Sequence, residues 1–222
     1  MNTVFFFPYA GASANVYLNY KKILSNDNTR VVLYEYPGHG SRYSDPKMYS
    51  VEEIASDFIS RYLSPIDSKY CLIGHSYGTN VILAICHKLQ ERNYNFPKYV
   101  YLSSGIPIRD NPIDASEDGI RKLLIEQNMT DNKIMENKDL FNFFYPIIAN
   151  DVENLNNYNP IRIKLPIEAR LFKGNLEEID MEKEWKDFFN IVSFKELEGD
   201  HSHILSNETV KIISNNIMID FI

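Results

Sequence analysis

Residues 70–86, YCLIGHSYGTNVILAIC, give the clearest indication of the fold. Residues 70–73 are a short apolar run, which is typical of a buried strand, and residues 77–91 are predicted to form a long helix. Glycines stand two positions before and two positions after Ser76. Such a turn is too sharp for larger side chains at both flanks. The stretch therefore predicts a strand, a tight turn that presents Ser76, and a helix.

Strand and helix patterns alternate on both sides of this stretch. Strands are predicted at 4–7, 31–34, 99–103, 167–172 and 191–196, and helices at 16–24, 50–63, about 181–189 and from about 207. This alternation predicts a mostly parallel central sheet flanked by helices, an α/β architecture. Between about 106 and 158 only helical patterns occur, at 116–127 and 139–148. We predict one domain over 1–222, with a helical lid at about 106–158 inserted after the fourth strand.

Composition narrows the possible partners. A chain of 222 residues is long enough for one domain with a sizeable core. The formal net charge of −7 argues against nucleic acid or an anionic membrane as the main partner, because both require a basic surface. No apolar run reaches the ~18 residues of a membrane span, and the N-terminus lacks the pattern of a signal peptide. Cys71 and Cys86 lie in apolar stretches, which favours free thiols and a cytoplasmic location.

Ser76 lies in the pattern G-x-S-x-G between a predicted strand and a predicted helix. In the α/β-hydrolase fold this pattern raises a nucleophilic serine above the sheet. The N-terminus of the next helix directs N–H groups and partial positive charge to the same place. The alternative interpretation is a turn of small residues in which the serine only caps the helix. The context favours an α/β hydrolase with Ser76 as its nucleophile.

The base and the acid are expected in the last third of the chain, because the order in this fold is serine, acid, histidine. His201 follows the last predicted strand and is the expected base, whereas His203 is interpreted as a partly buried neighbour. Glu177 is the preferred acid because it stands three residues after the glycine that follows the strand at 167–172. Its task would be to hold the imidazole tautomer and to stabilise the imidazolium. The alternatives are Glu178 and then Asp180.

The oxyanion hole is expected near the segment FPYAGAS, residues 7–13, which follows the first strand. Small residues allow the backbone to approach a substrate closely. The fold takes one N–H from the residue after the nucleophile and one from an early strand–helix loop. These donors would be Tyr77 and Ala10, with Tyr9 as the neighbouring candidate. The alternative is an ordinary turn between a strand and a helix.

Four motifs in order, FPYAG at 7–11, YPGHGSR at 36–42, GHSYG at 74–78 and GDH at 199–201, resemble the type II thioesterases of nonribosomal peptide and polyketide synthases. The resemblance covers nearly the whole chain. It implies a cytoplasmic editing enzyme that hydrolyses acyl or aminoacyl groups from the phosphopantetheine thiol of acyl or peptidyl carrier proteins. It also implies a helical lid. We expect no cofactor or metal in the enzyme itself, because the phosphopantetheine belongs to the carrier protein.

The chain departs from the pattern of this family at three places. Glu177 stands where the family usually has aspartate, Ala149 stands where a lid motif usually has arginine, and Ser202-His203 follows the histidine where aromatic residues are usual. The first departure leaves the identity of the acid open, and the others concern substrate preference and lid docking. Two other functions remain possible at this point. One is a carboxylester hydrolase or acyltransferase, because the triad does not encode the leaving group, and the other is a non-catalytic protein that binds carrier proteins.

Overall fold

The computed structural model describes residues 1–63, 69–130 and 132–221. Its six strands form one parallel sheet in the order β2-β1-β3-β4-β5-β6 and comprise β1 Asn2–Phe7, β2 Thr29–Leu33, β3 Tyr70–His75, β4 Tyr99–Ser103, β5 Glu168–Gly174 and β6 Asn190–Leu197. Each predicted strand is present, and its ends lie within two residues of the predicted ones. The predicted parallel sheet with flanking helices is confirmed.

The helices in the described ranges are α1 Leu18–Leu24, α2 Val51–Tyr62, α3 Tyr77–Glu91, α4 Glu117–Gln127, α5 Asn132–Glu136, α6 Lys138–Asn157, α7 Met181–Trp185 and α8 Asn207–Asp220. Helix α2 begins where the Ser50 hydroxyl accepts a hydrogen bond from the N–H of Glu53, at 3.1 Å. Such a bond satisfies one of the N–H groups that have no partner inside the helix. None of the helices in this part of the chain combines the length and the apolarity that crossing a bilayer demands.

Strand β1 shows how the sheet divides the core. Phe5 and Phe7 belong to the cluster that contains the apolar residues of α2 and α3, and Val4 and Phe6 belong to the cluster that contains those of α1 and α8. Side chains alternate between the faces of a strand, so each helical layer receives every second residue. All four side chains are at most 2% exposed. This explains why the strand is continuously apolar from Val4 to Phe7 rather than alternating.

Three predicted helices have different bounds in the structure. The helix expected at 16–24 is divided into a 3-10 turn, Ala14–Tyr17, and α1. The helix expected at 139–148 continues to Asn157, because Val152 and Leu155 are buried and extend its apolar face. The helix expected up to 189 ends at Trp185, whose carbonyl oxygen accepts the N–H groups of the next turn at 3.0 and 3.1 Å. Tertiary burial and turn contacts decided these ends.

The segment between β4 and β5 contains α4, α5 and α6, and no strand occurs in the part of it that the structure describes. It has a small apolar cluster of its own, which consists of Ile120, Leu124, Phe141, Ile148, Ala149 and Val152. The guanidinium carbon of Arg121 lies 3.4 Å from the centre of the Phe141 ring. A separate cluster of this size lets the helices pack together above the main core.

Candidate active site

Ser76 lies between β3 and α3 in a strained backbone conformation. Its φ of 52° and ψ of −117° fall in a region that residues other than glycine rarely adopt. Gly74 and Gly78 allow this turn: a Cβ at Gly74 would lie 2.5 Å from the carbonyl oxygen of Gly78. The N–H of Ser76 donates to the carbonyl oxygen of Ser103 at 2.8 Å, which ties the turn to β4. The side chain of Ser76 does not cap α3, so the capping role considered above is not what the structure shows.

Glu177 is the carboxylate, of the three considered, that contacts His201. Its Oε1 lies 2.7 Å from Nδ1 of His201, and the two side chains are 9% and 10% exposed. Asp180 instead caps α7, where it accepts the N–H of Lys183 at 3.1 Å. Glu178 is exposed. The structure therefore brings together His201 and the preferred acid, Glu177, whereas Asp180 caps a helix.

Both carboxylate oxygens of Glu177 are held by donors. Oε1 faces His201, and Oε2 accepts the N–H of Gly174 at 2.8 Å and the hydroxyl of Ser104. Burial acts to raise the pKa of Glu177, but the hydrogen bond and the charge of His201, together with the other donors, outweigh it and the pKa is lowered. Several donors on one carboxylate favour its ionised form. The arrangement therefore stabilises the state that can orient an imidazolium.

Gly174 allows the loop that carries Glu177 to pack closely against the loop that carries His201. A Cβ at this position would lie 2.4 Å from the carbonyl oxygens of Gly199 and Asp200. Asp200 caps the following 3-10 turn, His201–Leu205, by accepting the N–H of Ser202 at 2.8 Å. His201 therefore stands at the start of a short capped turn, ahead of α8.

Ser104 and His203 support Glu177 from the side opposite His201, and sequence reasoning missed Ser104. It directly follows β4, has a left-handed φ of 50°, and its Oγ lies 3.0 Å from Nε2 of His203. Burial lowers the pKa of His203 to about 4, so its ring is neutral at pH 7. An ionised carboxylate can only accept, so Ser104 donates to Glu177 and His203 donates to Ser104. The only sequence signal for Ser104 was its position at the carboxyl edge of the sheet.

His75 lies against the ring of His201. The ring centroids are 4.8 Å apart, and Nδ1 of His75 lies 3.0 Å from Oγ of Ser103. Burial, with the neighbouring histidines, lowers the pKa of His75 well below its usual range, so it adds no positive charge beside the base. His75 precedes Ser76, and this contact therefore puts the His201 imidazole beside the turn. Among the described residues Nε2 of His201 has no hydrogen-bond partner, which leaves it able to accept a proton.

The two predicted oxyanion donors lie on segments that touch. Tyr77 is the first residue of α3, and the first N–H groups of a helix have no partner inside it. Ala10 lies in a turn at residues 9–12, which is closed by an N–H···O bond of 3.1 Å and has Gly11 at a φ of +74°. A Cβ at Gly78 would lie 2.3 Å from the carbonyl oxygen of the last residue of β1. The turn that carries Ala10 therefore begins directly against the turn that carries Ser76.

The side chains gathered here suit one kind of chemistry. A serine in a strained turn, a histidine with a free Nε2 and a carboxylate on the other ring nitrogen form the set that acyl transfer requires. In the ranges that the structure describes, no group of three or more His, Cys, Asp or Glu side chains could hold a metal ion. In the described ranges no hydrogen bond joins Ser76 to Nε2 of His201, so proton transfer from the hydroxyl to the imidazole requires the two groups to approach more closely.

Known proteins share both the sequence pattern and the fold. The family model described as "Thioesterase domain" matches residues 2–218. The medium-chain S-acyl fatty acid synthase thioesterase of Rattus norvegicus is 22% identical over 223 residues, which cover 95% of this chain and 84% of that protein.

Two solved structures are similar over almost their whole length. One is ClbQ from the colibactin NRPS/PKS pathway, with a TM-score of 0.85 and 21% identity over 99% of this chain and 98% of that one. The other is the type II thioesterase BorB from the borrelidin biosynthetic cluster, with a TM-score of 0.83 and 18% identity over 99% and 92%. At these identities the likeness concerns the fold, and it confirms the predicted α/β-hydrolase type.

Proposed function

The chain belongs to the thioesterase domain family and is a thioesterase, and we propose that it is a type II thioesterase. In this proposal it hydrolyses acyl or aminoacyl thioesters from phosphopantetheinylated carrier proteins of a nonribosomal peptide or polyketide synthase. The observation that carries the proposal is the pair of Glu177 and His201 beside the strained turn of Ser76. The similarity to ClbQ and to the type II thioesterase BorB supports the choice of pathway and of subclass.

The first step of the proposed reaction is acylation of Ser76. Its Oγ attacks the thioester carbonyl carbon while Nε2 of His201 takes its proton, and Glu177 stays ionised against Nδ1. The tetrahedral oxyanion accepts hydrogen bonds from the N–H groups of Tyr77 and Ala10. The C–S bond then breaks, the sulfur takes the proton from His201, and the carrier thiol leaves. The second step repeats this with water as the nucleophile and releases the acid.

A thioester requires less acid–base assistance from these side chains than an oxygen ester does. A thiol has a pKa of ~8.5, so it leaves more readily than an alcohol or an amine. Protonation of the leaving group is correspondingly less critical. This supports a thioester as substrate without excluding the oxygen ester, because both use the same three side chains.

We also propose that 106–158 acts as a lid over the acyl group. A cavity of about 160 Å³ lies between the turn at residues 9–12 and the helical segment, where it is lined by Leu124, Met129, Phe144 and Ile148. A cavity of ~150 Å³ is large enough for benzene. This supports a short acyl group as the part of the substrate held beneath the lid.

The test is a panel of carrier proteins loaded through phosphopantetheine with a short acyl, an aminoacyl or a long-chain acyl group. We expect the short acyl thioester to be hydrolysed with a kcat/KM at least about tenfold above that of its oxygen ester. Faster turnover of the oxygen ester would favour a carboxylester hydrolase. Transfer to an added alcohol in place of hydrolysis would favour an acyltransferase.

A fluorophosphonate probe separates the enzyme from a non-catalytic carrier-binding protein. We expect the probe to label Ser76 at neutral pH and to leave the Ser76→Ala variant unlabelled. Absence of labelling in a folded wild-type protein would contradict the enzymatic function. Loading the same acyl group on free pantetheine, without the carrier protein, then measures how much of kcat/KM depends on the protein partner.

A further inference from the structure

We propose that Asp151 is a positioning residue for the oxyanion hole: from the helical segment, its carboxylate fixes the turn at residues 9–12 that carries Ala10. The inference rests on the proposed function in one respect, namely that the N–H of Ala10 stabilises the oxyanion. It adds a role for a residue of α6 that touches neither the nucleophile nor the base. It also gives the helical segment a part in the chemistry besides covering the site.

Asp151 joins three segments that are far apart in sequence. Its Oδ2 accepts the N–H of Gly11 at 2.8 Å and lies 2.9 Å from Nε2 of His39. Its side chain is 1% exposed and that of His39 is 4% exposed. One buried oxygen atom therefore connects α6 with the FPYAG motif and with the YPGHGSR motif.

The contact with Gly11 controls the conformation of the turn. A turn in which the third residue has a positive φ and the second does not is of type II; Gly11 has a φ of +74°, and the φ of Ala10 is not positive. In the competing type I turn the central peptide is turned over, so the Gly11 N–H would face away from Asp151 and the carbonyl oxygen of Ala10 would approach the carboxylate. Two oxygen acceptors repel each other. Asp151 therefore favours the type II conformation and holds the peptide group that directly follows Ala10, which anchors Ala10 from its C-terminal side.

His39 compensates the charge of Asp151. Its Nδ1 lies 3.1 Å from the carbonyl oxygen of Pro37, and its Nε2 faces Asp151, so both ring nitrogens face acceptors and both must donate. Burial acts to lower the pKa of His39, but the adjacent carboxylate outweighs it and the pKa is raised. A buried ion pair contributes little to stability compared with apolar residues of the same size. The pair is therefore better explained by what it positions.

Packing acts on the same turn. Ile148 lies one helical turn before Asp151, and a Cβ at Gly11 would lie 2.3 Å from its Cγ1. Residues three apart on a helix share a face, so one face of α6 both packs on the turn and binds its N–H. Asn150 lies next to Asp151 on α6 but donates to the carbonyl oxygen of Met48 at 2.9 Å. It provides a hydrogen bond from the same helix to the loop before α2 that does not involve the turn at residues 9–12, which makes it a matched control.

The experiment compares Asp151→Ala, Asp151→Asn and Asn150→Ala. Turnover is measured on a p-nitrophenyl ester with a short acyl chain, so the result does not depend on the carrier protein or on a preference for thioesters. Binding is measured with a trifluoromethyl ketone, to which Oγ of Ser76 adds to give a hemiketal oxyanion while His201 takes the proton. This adduct requires the oxyanion donors but no leaving group.

We expect Asp151→Ala to lower kcat about 10²-fold, the usual effect of losing an oxyanion donor, with KM changed less than about threefold. The affinity for the trifluoromethyl ketone should fall by a similar factor. Asp151→Asn keeps an oxygen for Gly11 and an N–H₂ for a neutral His39, so it should restore kcat to within roughly fivefold of the wild type. Asn150→Ala should lower the melting temperature without this loss of kcat.

Two results would overturn the inference. One is an equal loss of kcat in Asp151→Ala and Asn150→Ala, which would assign Asp151 to stability alone. The other is an Asp151→Ala variant with low kcat but wild-type affinity for the trifluoromethyl ketone. A wild-type protein that prefers oxygen esters would contradict the proposed function and would leave the comparison of these variants unchanged.

Discussion

The two ends of the proposed site, the nucleophile end around Ser76 and the acid end around Glu177, are built in different ways. At the nucleophile end the backbone does the positioning: Ser76 is held at a φ of 52° by glycines and by a backbone hydrogen bond to β4. At the acid end side chains do most of it: besides the backbone N–H of Gly174, Ser104 and His201 hold Glu177 from two other loops. A tight backbone turn tolerates almost no added side-chain volume. A hydrogen-bond network instead loses part of its stabilising energy with each hydrogen bond that is removed. The two ends should therefore respond to mutation in different ways.

The largest effect is expected for Ser76→Ala, which removes the nucleophile and leaves the turn in place. Loss of a catalytic serine lowers kcat roughly 10⁴- to 10⁶-fold. Alanine keeps the Cβ that the strained backbone already accommodates, so the melting temperature should stay close to that of the wild type. Steady-state hydrolysis of an acyl thioester and a thermal unfolding curve measure both. Retention of more than about one percent of kcat would show that Ser76 is not the nucleophile.

Glu177→Ala is the next largest change and tests the acid end. The imidazolium would lose its carboxylate, so we expect kcat to fall about 10³- to 10⁴-fold. Glu178→Ala removes a neighbouring exposed carboxylate and should stay within about twofold of the wild type. Glu177→Asp keeps the negative charge, but its carboxylate stands one methylene further from His201. Its kcat should therefore lie between those of Glu177→Ala and Glu178→Ala. Equal and small losses in Glu177→Ala, Glu178→Ala and Asp180→Ala would contradict the assignment.

The same contrast between the two ends explains which features of the site could be predicted from the sequence. The turn of Ser76 is local: its glycines, its strand and its helix lie within 70–91, so a short pattern was sufficient to place it. The sheet was equally predictable, because strands such as β1, β3 and β4 contain short apolar runs bounded by turn residues. Glu177 was predicted from its distance to a glycine, and that glycine is where the two loops touch.

The missed features depend on contacts between distant residues. Ser104 and His203 are 99 positions apart, and Asp151 and Gly11 are 140 positions apart. No local spacing indicates that such residues meet. The end of α6 at Asn157 escaped prediction for the same reason, because tertiary burial extends the helix beyond what its own pattern indicated.

Ser104→Ala tests the hydrogen bond that Ser104 donates to Glu177. The hydroxyl donates to an ionised carboxylate, and such hydrogen bonds contribute about 1.5–3 kcal/mol, part of which supports catalysis. We expect kcat/KM to fall about tenfold, with the pKa of Glu177 moving up. Ser103→Ala is the matched control, because its Oγ lies 3.0 Å from His75 and 3.2 Å from His203 but does not contact Glu177. Similar losses in the two variants would show that Ser104 does not act through Glu177.

His203→Phe should have the smallest effect on activity and a distinct effect on stability. At pH 7 the ring is neutral, and its loss removes the donor behind Ser104 and the contact with Ser103 but leaves Glu177 its other donors, so kcat/KM should fall about two- to threefold. The pKa of His203 is lowered to about 4 in the folded chain, whereas an unfolded histidine titrates near ~6.5. Between these values the unfolded state binds the extra proton, so the wild type is stabilised above pH ~6.5 and loses this contribution as the pH falls towards 4. Urea unfolding at several pH values should therefore show a shallower loss of unfolding free energy in His203→Phe than in the wild type. Identical pH slopes in the two proteins would show that His203 is not held neutral by its burial at the acid end.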